Sequence, residues 1–368
     1  MKWSWKIARV AGIDVFMHST FLLLIGWIAI STWLAEQNVA DTLMSVLFVL
    51  ALFLCVVLHE YGHALTARKY GIQTKDITLL PIGGVARLER MPDQPLQELW
   101  VALAGPAVNV VIAVVLFIGL SVTNSLQSLA SISLTSGSFF ERLLIVNISL
   151  VLFNLLPAFP MDGGRILRAL LATRIEYTRA TQIAATIGQG MALLLGFFGL
   201  FNNPFLLFIA FFVWIGAAQE ASMVQVKSAL SGIPVSRAML TDFRTVSPTD
   251  PIAQVVQLIL SGSQQDFPVV VDRKVVGILT RDLVIRALAE HNESTFVSYI
   301  MQKEFQVVDS SQMLDYVNLQ NQESVQRIVP VVHNGELVGL LTMENLGEFL
   351  MIQSAIRQRK MSVNVSPG

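Results

Sequence analysis

Long apolar segments fill the first 226 or so residues of this chain, and they restrict it to the folds available in a lipid bilayer. Each is long enough, and poor enough in charge, to span a membrane as a helix. Six segments qualify, at 15–35, 43–66, 98–121, 142–161, 182–201 and 204–225. From about Arg237 onward, short apolar runs alternate with polar residues, which is typical of a soluble α/β domain. The sequence therefore predicts a polytopic α-helical membrane protein with six transmembrane helices and a soluble α/β part.

Basic residues are distributed unevenly among the connections between these segments. Lysines and arginines precede the first span and follow the second and fourth, whereas the connections 36–42, 122–141 and 202–203 contain none. By the positive-inside rule, we expect both termini to lie in the cytoplasm. The expected location is the plasma membrane, which the protein would cross several times. The N-terminal apolar run is long enough to span and is not followed by a small-residue cleavage site, so we expect no cleavable signal.

The overall composition bears on two other classes of protein. The net charge of -1 gives no indication of nucleic-acid binding. The single cysteine, Cys55, excludes an internal disulfide framework and is most simply a residue of helix packing.

Residues 59–63 have the sequence HEYGH and lie inside the second span. His59 and His63 are four residues apart, so they share one face of a helix and can bind one zinc ion together. Glu60 would lie beside the metal and take a proton from zinc-bound water, whose pKa is lowered to roughly 7. Ionisable side chains are costly within lipid and usually mark function there. The alternative is that the two histidines hydrogen-bond neighbouring helices while Glu60 is paired or protonated.

Asp162, at the end of the fourth span, is a natural third ligand. The predicted topology brings it to the same cytoplasmic depth as the two histidines. Three protein ligands leave the fourth position of zinc open for water, as a catalytic site requires. Nearby prolines and glycines, including Pro157 and Gly163, would break the helix and bring the carboxylate to the metal. The alternative is that Asp162 is a helix-end residue solvated at the interface.

Together these motifs resemble the paired signatures of site-2 proteases, which are intramembrane zinc metalloproteases. The resemblance includes HEYGH, the segment 154–163 with its Asn, Pro and Asp-Gly positions, and the sequence GPAVN at 105–109. It covers roughly residues 1–226 and implies an endopeptidase that cleaves single-span transmembrane substrates near the cytoplasmic face. The resemblance further implies one zinc per chain, bound by His59, His63 and Asp162, with Glu60 as general base and Asn109 and Asn154 as polar helpers. For Asn109, an ordinary interhelical hydrogen bond is the equal alternative.

Two further features of the membrane part bear on the site. Residues 77–88 are β-branched and punctuated by glycine, which predicts a short hairpin. A free edge of such a sheet beside the zinc can pair with an unwound substrate strand, whereas an ordinary cytoplasmic turn is the alternative. His18, at the cytoplasmic start of the first span, either serves in gating or a water path, or simply bonds to backbone.

The soluble part contains an internal repeat of about 60 residues with strand, helix, strand, strand and helix in the same order. Both copies contain an apolar strand with proline, a short turn and a Gly-x-x-Thr sequence, and they resemble a pair of cystathionine-β-synthase-type (CBS) domains. The predicted boundaries are 1–226 for the transmembrane protease domain, 227–236 for a linker, 237–292 and 293–355 for the CBS domains, and 356–368 for a flexible tail.

The resemblance to CBS domains implies that ATP or another adenine nucleotide binds to the pair. Thr342 and Asn345 keep the usual offset between the hydroxyl and the amide or acidic side chain. Thr280 departs from it, because Leu283 occupies the matching position and Asp282 stands one residue early. We therefore expect binding chiefly through Thr342 and Asn345, whereas Thr280 and Asp282 depart from the usual offset. The alternative is a pair that serves only to join two chains as a homodimer.

Two other functions compete with the protease hypothesis. In a CBS-regulated transporter or channel, the polar intramembrane residues would form an ion path, although the sequence has no inverted pair of broken segments. A catalytically inactive membrane scaffold is disfavoured because Glu60 is intact.

Overall fold

The computed structural model describes residues 3–81, 83–92, 94–123, 137–290, 294–317 and 327–364. The chain divides into two compact units, Met1–Val224 and Gln225–Gly368. The first unit corresponds to the predicted membrane part, and the second to the predicted soluble part.

The first unit combines a small sheet with a bundle of helices. Its four strands are β1 (Ser4–Val10), β2 (Ile13–His18), β3 (Thr74–Leu80) and β4 (Gly83–Leu88). Its helices are α1 (Ser19–Glu36), α2 (Val39–Lys69), α3 (Pro95–Val122), α4 (Phe139–Asn154), α5 (Asp162–Ala172), α6 (Tyr177–Phe201) and α7 (Phe205–Leu230), the last of which continues into the second unit.

Among the described residues, five helices are long and apolar enough to cross a membrane: α1, α2, α3, α6 and α7. The predicted fourth span, 142–161, differs from the structure. Helix α4 has 16 residues and ends at Asn154, which makes it about 24 Å long against a hydrocarbon core of roughly 30 Å. The helix stops there because Pro157 has no N–H to donate and disfavours helical geometry in the residue before it.

The predicted first span, 15–35, also begins too early. Residues 13–18 form strand β2, and α1 begins at Ser19 with His18 as its N-cap. The strands lie in the order β1-β2-β3-β4, with β2 and β3 parallel and the other pairs antiparallel. The antiparallel register of β3 and β4 confirms the predicted hairpin at 77–88.

The sheet packs directly on α2. Ile13, Val15 and Ile77 are buried against Tyr61 and Ala64 of that helix. This packing places β4, one of the two edge strands of the sheet, alongside the turn of α2 that contains HEYGH.

Helices α2 and α3 approach closely because each has a glycine at the contact, Gly62 on α2 and Gly105 on α3. A Cβ atom on Gly62 would lie 2.6 Å from the carbonyl oxygen of Ala104, which is closer than real Cβ atoms come. Small residues at such a crossing let backbones approach within a membrane bundle.

Cys55 of α2 is buried in an apolar cluster between α2 and α4, in agreement with its predicted packing role.

A buried ion network connects α5 with α3 and α7. Arg168 has no solvent-exposed surface. Its guanidinium donates to Glu98 Oε1, with a distance of 2.8 Å from Nε, and also to Glu220. The rings of Phe159 and Tyr177 flank it at 5.0 Å. Arg168, one of the arginines that follow the predicted fourth span, therefore lies in a helix and pairs with carboxylates inside the protein.

The second unit contains two copies of one supersecondary unit. Its helices are α8 (Ile252–Ser261), α9 (Arg281–Glu290), α10 (Val297–Ile300) and α11 (Met343–Asn364), and its strands are β5 (Phe267–Val271), β6 (Lys274–Leu279), β7 (Val308–Asp309), β8 (Ile328–His333) and β9 (Glu336–Thr342). The pairs β5–β6 and β8–β9 have equivalent registers, with a bulge at equivalent positions.

The start of each copy packs on the sheet of the other copy. Met301 lies against Gly277, and Met239 lies against Gly339, so that a Cβ on either glycine would overlap the methionine sulfur. The methionine of one copy thus needs the space beside the glycine of the other copy, which explains why the glycine of Gly-x-x-Thr recurs in both copies.

Two details of the second unit differ from the sequence expectation. The helix predicted near 311–323 lies partly outside the described residues, and within them only a 3-10 turn at Leu314–Tyr316 is present. Helix α11 continues to Asn364, so it covers much of the segment 356–368 that the sequence assigned to a tail.

Candidate metal centre

His59, His63 and Asp162 meet in the buried interior of the first unit. The two Nε2 atoms are 3.1 Å apart, and each lies 3.2 Å from Oδ2 of Asp162. The three residues are 6–7% exposed. Tetrahedral zinc with bonds of roughly 2.0–2.1 Å requires its ligand atoms about 3.3 Å apart. The triangle therefore fits zinc, and two imidazoles with one carboxylate form a donor set of the catalytic type, with a fourth position for water.

The second nitrogen of each imidazole is held from outside the triangle. Nδ1 of His63 lies 2.7 Å from the carbonyl oxygen of Val101. A carbonyl can only accept, so Nδ1 donates and Nε2 has its lone pair free toward the centre. Nδ1 of His59 lies 2.5 Å from Oδ1 of Asn109, which has the same consequence. Such outer hydrogen bonds orient metal-binding imidazoles and increase their basicity.

The chain between α4 and α5 forms a tight turn that presents Asp162. Ala158 N donates to Leu156 O at 2.7 Å, and Met161 N donates to Ala158 O at 3.1 Å. Asp162 is then the first residue of α5. A Cβ on Gly163 would lie 2.5 Å from the carbonyl oxygen of Leu155, so only glycine lets α5 begin so close to the turn.

Gly105 gives the two imidazoles their space. A Cβ at this position would lie 2.5 Å from Cε1 of His63 and 2.7 Å from Nε2 of His59. The backbone of α3 thus lines one side of the ligand triangle.

The side chain of Glu60 extends from α2, the helix that carries His59 and His63, to strand β4 at the edge of the sheet. Its Oε2 accepts from the backbone N–H of Ala86 in β4 at 3.2 Å. Gly84 of the same strand lies so close that a Cβ there would be 2.9 Å from Cγ of Glu60. The carboxylate of Glu60 also interacts electrostatically with His59, His63 and Asp162, so it lies beside the ligand triangle.

The other predicted supporting residues have different surroundings. Asn109 is fully buried and contacts His59. The side chain of Asn154 donates to Leu150 O at 3.0 Å, within its own helix. The described contacts of His18 are with Thr20 at the start of α1, as in the alternative that assigned it a backbone bond. Asn147, which the sequence did not single out, accepts from Nδ2 of Asn109 at 2.8 Å.

The two predicted nucleotide positions of the second unit also differ from each other. Thr342 Oγ1 and the side chain of Asn345 hydrogen-bond at 2.6 Å, so the pair caps α11. Thr280 and Asp282 line a pocket of about 360 Å³ together with Leu283, Arg286 and Arg327. Asp282 pairs with Arg327 at 3.0 Å on its rim.

Comparison with known proteins gives consistent matches along the chain. The model of peptidase family M50 matches residues 47–133 and 121–195, and the CBS domain model matches residues 235–290. Zinc metalloprotease MJ0392 of Methanocaldococcus jannaschii is 33% identical over 347 residues, covering 94% of this chain and 96% of that protein. Putative zinc metalloprotease sll0528 of Synechocystis is 26% identical, with 95% and 96% covered. The solved site-2 protease from M. jannaschii is 38% identical over 60% of this chain and 95% of its own, with a TM-score of 0.44.

A ligand triangle beside a glutamate, set among helices of membrane length, defines a zinc metalloprotease of the membrane-embedded class. The chain belongs to peptidase family M50, the site-2 proteases, and it carries a CBS domain in its C-terminal part.

Proposed function

We propose that this protein is an intramembrane endopeptidase that hydrolyses single-span transmembrane substrates near the cytoplasmic face of the plasma membrane. The observation that carries the proposal is the ligand triangle of His59, His63 and Asp162 with Glu60 in the same turn of α2. Membrane-length helices surround this centre, so its substrates are peptide bonds within or next to the bilayer.

Each residue of the centre has a defined task in hydrolysis. His59, His63 and Asp162 hold zinc, which when bound supplies an acidified water and polarises the peptide carbonyl. Glu60 would accept a proton from a water molecule as the water oxygen bonds to the peptide carbonyl carbon, and it would deliver that proton to the peptide nitrogen as the C–N bond breaks. Asn109 and the Val101 carbonyl keep the imidazole lone pairs directed at the centre.

The substrate strand is proposed to bind along the free edge of β4. In the register of the hairpin, Glu89 N donates to Gln73 O toward β3, so the N–H groups of alternate residues such as Ala86 face away from β3. Ala86 N–H is the group that contacts Glu60. A substrate paired at this edge would have an extended backbone and a scissile carbonyl free of helical hydrogen bonds, directly beside the general base.

Ala86→Pro is expected to lower substrate cleavage about 10-fold while zinc stays bound. Proline removes the edge N–H but no bond to β3, since open-edge positions tolerate proline. The lost N–H donates to Glu60 in the structure and would donate to the substrate once the substrate is paired, and the loss of that one hydrogen bond corresponds to about 1.4 kcal/mol. Cleavage rates and zinc content are measured on purified protein, with Ala86→Ser, which keeps the N–H, as the matched control. Equal rates for both variants would contradict pairing at β4.

The CBS pair is proposed to bind ATP or a related adenine nucleotide and to change the proteolytic rate. The sequence favours Thr342 with Asn345, whereas the pocket adjoins Thr280, so the two positions need separate tests. A ligand shifts a conformational equilibrium only by its different affinities for the two states. Binding without a change in rate would leave the pair as a dimerisation module stabilised by nucleotide.

Thr342→Ala is expected to weaken nucleotide binding by the full-length protein about 10-fold, the loss of one hydrogen bond of about 1.4 kcal/mol. Thr280→Ala is the matched control and is expected to bind like the unmodified chain. Calorimetry in detergent measures both affinities. Weakened binding only in Thr280→Ala would transfer the site to the pocket, and no binding at millimolar nucleotide would reject the sensor function.

The experiment that tests the proposed protease function uses vesicles that contain the purified protein and a single-span substrate. The expected result is cleavage of the substrate within or near its span, with no ion flux. Ion flux without cleavage would instead support a transporter.

A further inference from the structure

A buried line of polar side chains extends outward from the ligand His59 to helix α4. Nδ1 of His59 meets Oδ1 of Asn109 at 2.5 Å, and Nδ2 of Asn109 donates to Oδ1 of Asn147 at 2.8 Å. The amide of Asn147 donates in turn to the carbonyl oxygen of Leu143 at 2.9 Å and reaches Sγ of Cys55 at 3.5 Å. Both asparagines have no exposed surface. Such amides are costly to bury among apolar helices unless they are fully paired.

The direction of every hydrogen bond in this line is fixed from its outer end. The Leu143 carbonyl can only accept, so the side of Asn147 that faces it must be the NH₂ group. Asn147 then presents its oxygen to Asn109, which must answer with its own NH₂ group. Oδ1 of Asn109 is thereby directed at His59, and Nδ1 of His59 must carry the proton. The lone pair of Nε2 is left for the metal.

Asn109 alone does not determine which nitrogen of His59 carries the proton. An amide rotated by half a turn has almost the same shape, but it would present NH₂ to Nδ1 of His59. The imidazole would then accept at Nδ1 and carry its proton on Nε2, where it blocks coordination. Only a partner that accepts but does not donate toward Asn109 excludes that state, and Asn147 is the described residue in that position.

We propose that Asn147 is a positioning residue of the metal centre, which acts through Asn109 to hold His59 in its metal-binding tautomer. The inference rests on the proposed function, because it presumes that His59 binds zinc. Asn147 lies seven residues before Asn154, on the same face of α4. It contacts neither the ligand triangle nor Glu60 among the described residues, so its influence is indirect.

The test compares zinc affinities of the full-length protein in detergent, measured by competition with a chromophoric chelator. Asn147→Leu keeps the size of the side chain and removes its oxygen, and it is expected to bind zinc about 10-fold more weakly, at the lower end of the effects of outer-shell changes. Ile148→Ala, at a half-exposed position one residue along α4, is the matched control and is expected to retain full affinity.

Two further measurements separate positioning from a general loss of structure. If Asn147 acts through Asn109, Asn147→Leu should cost little more in the Asn109→Leu background, so the double variant should bind zinc like Asn109→Leu. Cobalt(II) placed in the site should show a visible spectrum that is altered in Asn147→Leu and unaltered in Ile148→Ala. If Asn147→Leu does not fold, Asn147→Ala takes its place in the same comparisons.

The outcomes are distinguishable. Zinc bound equally by unmodified protein and Asn147→Leu, with the same cobalt spectrum, would overturn the role of Asn147 and leave the protease proposal intact. Additive losses in the double variant would also overturn it, because Asn147 would then act independently of Asn109. Unmodified protein without zinc would overturn the proposed function and, with it, this inference.

Discussion

Glu60→Gln should reduce peptide cleavage at least ~100-fold while the fold and the bound zinc persist. Glutamine has the shape of glutamate but cannot accept the proton of the attacking water. Its amide oxygen can still accept from Ala86 N–H, so the contact with β4 is maintained. The measurement is the cleavage rate of a single-span substrate by purified protein, with zinc content determined on the same sample.

One observation would decide against this mechanism, and a second would show a structural role for Glu60 instead of testing its chemistry. Cleavage near the unmodified rate in Glu60→Gln would exclude Glu60 as general base. Loss of zinc together with activity would show that Glu60 supports the metal centre, and its chemical role would then stay untested. Ala86→Ser is measured in parallel as a control for the contact between Glu60 and β4, and it should keep both zinc and cleavage.

The sequence could predict the ligand triangle because its elements obey simple periodicities. His59 and His63 share a helix face at a spacing of four residues, and the apolar runs set the depth at which Asp162 meets them. The hairpin was also predictable, since Gly83 and Gly84 interrupt a β-branched segment. The signals for the histidine pair and for the hairpin each lie within one short stretch of chain, and Asp162 joins the histidines through the matching depth of two apolar runs.

Other features depended on partners far away along the chain. Arg168 is charged, and a charge after an apolar run indicates a cytoplasmic loop by the positive-inside rule. Its burial depends on Glu98 and Glu220, which lie 70 and 52 residues away. The proposed positioning role of Asn147 likewise depends on its hydrogen bond with Asn109, 38 residues earlier. No local pattern identifies such pairs, although polar residues within apolar helices are a reason to search for them.

The N-terminal sheet was missed for a different physical reason. Strand β2 is apolar and continues directly into α1, so hydropathy merges the two into one segment. The strand forms because Ile13 and Val15 pack on α2 and because β3 offers a parallel partner, neither of which is visible in the segment itself. This sheet is what brings β4 to Glu60, so the proposed substrate edge depends on structure that hydropathy hides.

Purified protein should contain about one zinc per chain, and His59→Ala should lose it, because two of three ligands and water do not retain the metal at comparable affinity. The His59→Ala/His63→Ala double variant should contain none. His333→Ala is the matched control, since this histidine contacts Ser310 in the second unit, and it should keep the full metal content. Metal content is measured by elemental analysis after dialysis against a weak chelator. A stoichiometric metal that survives in the double variant would place the binding site elsewhere. An empty unmodified protein that neither takes up added zinc nor cleaves substrate would instead favour the inactive scaffold, despite the fit of the triangle to zinc.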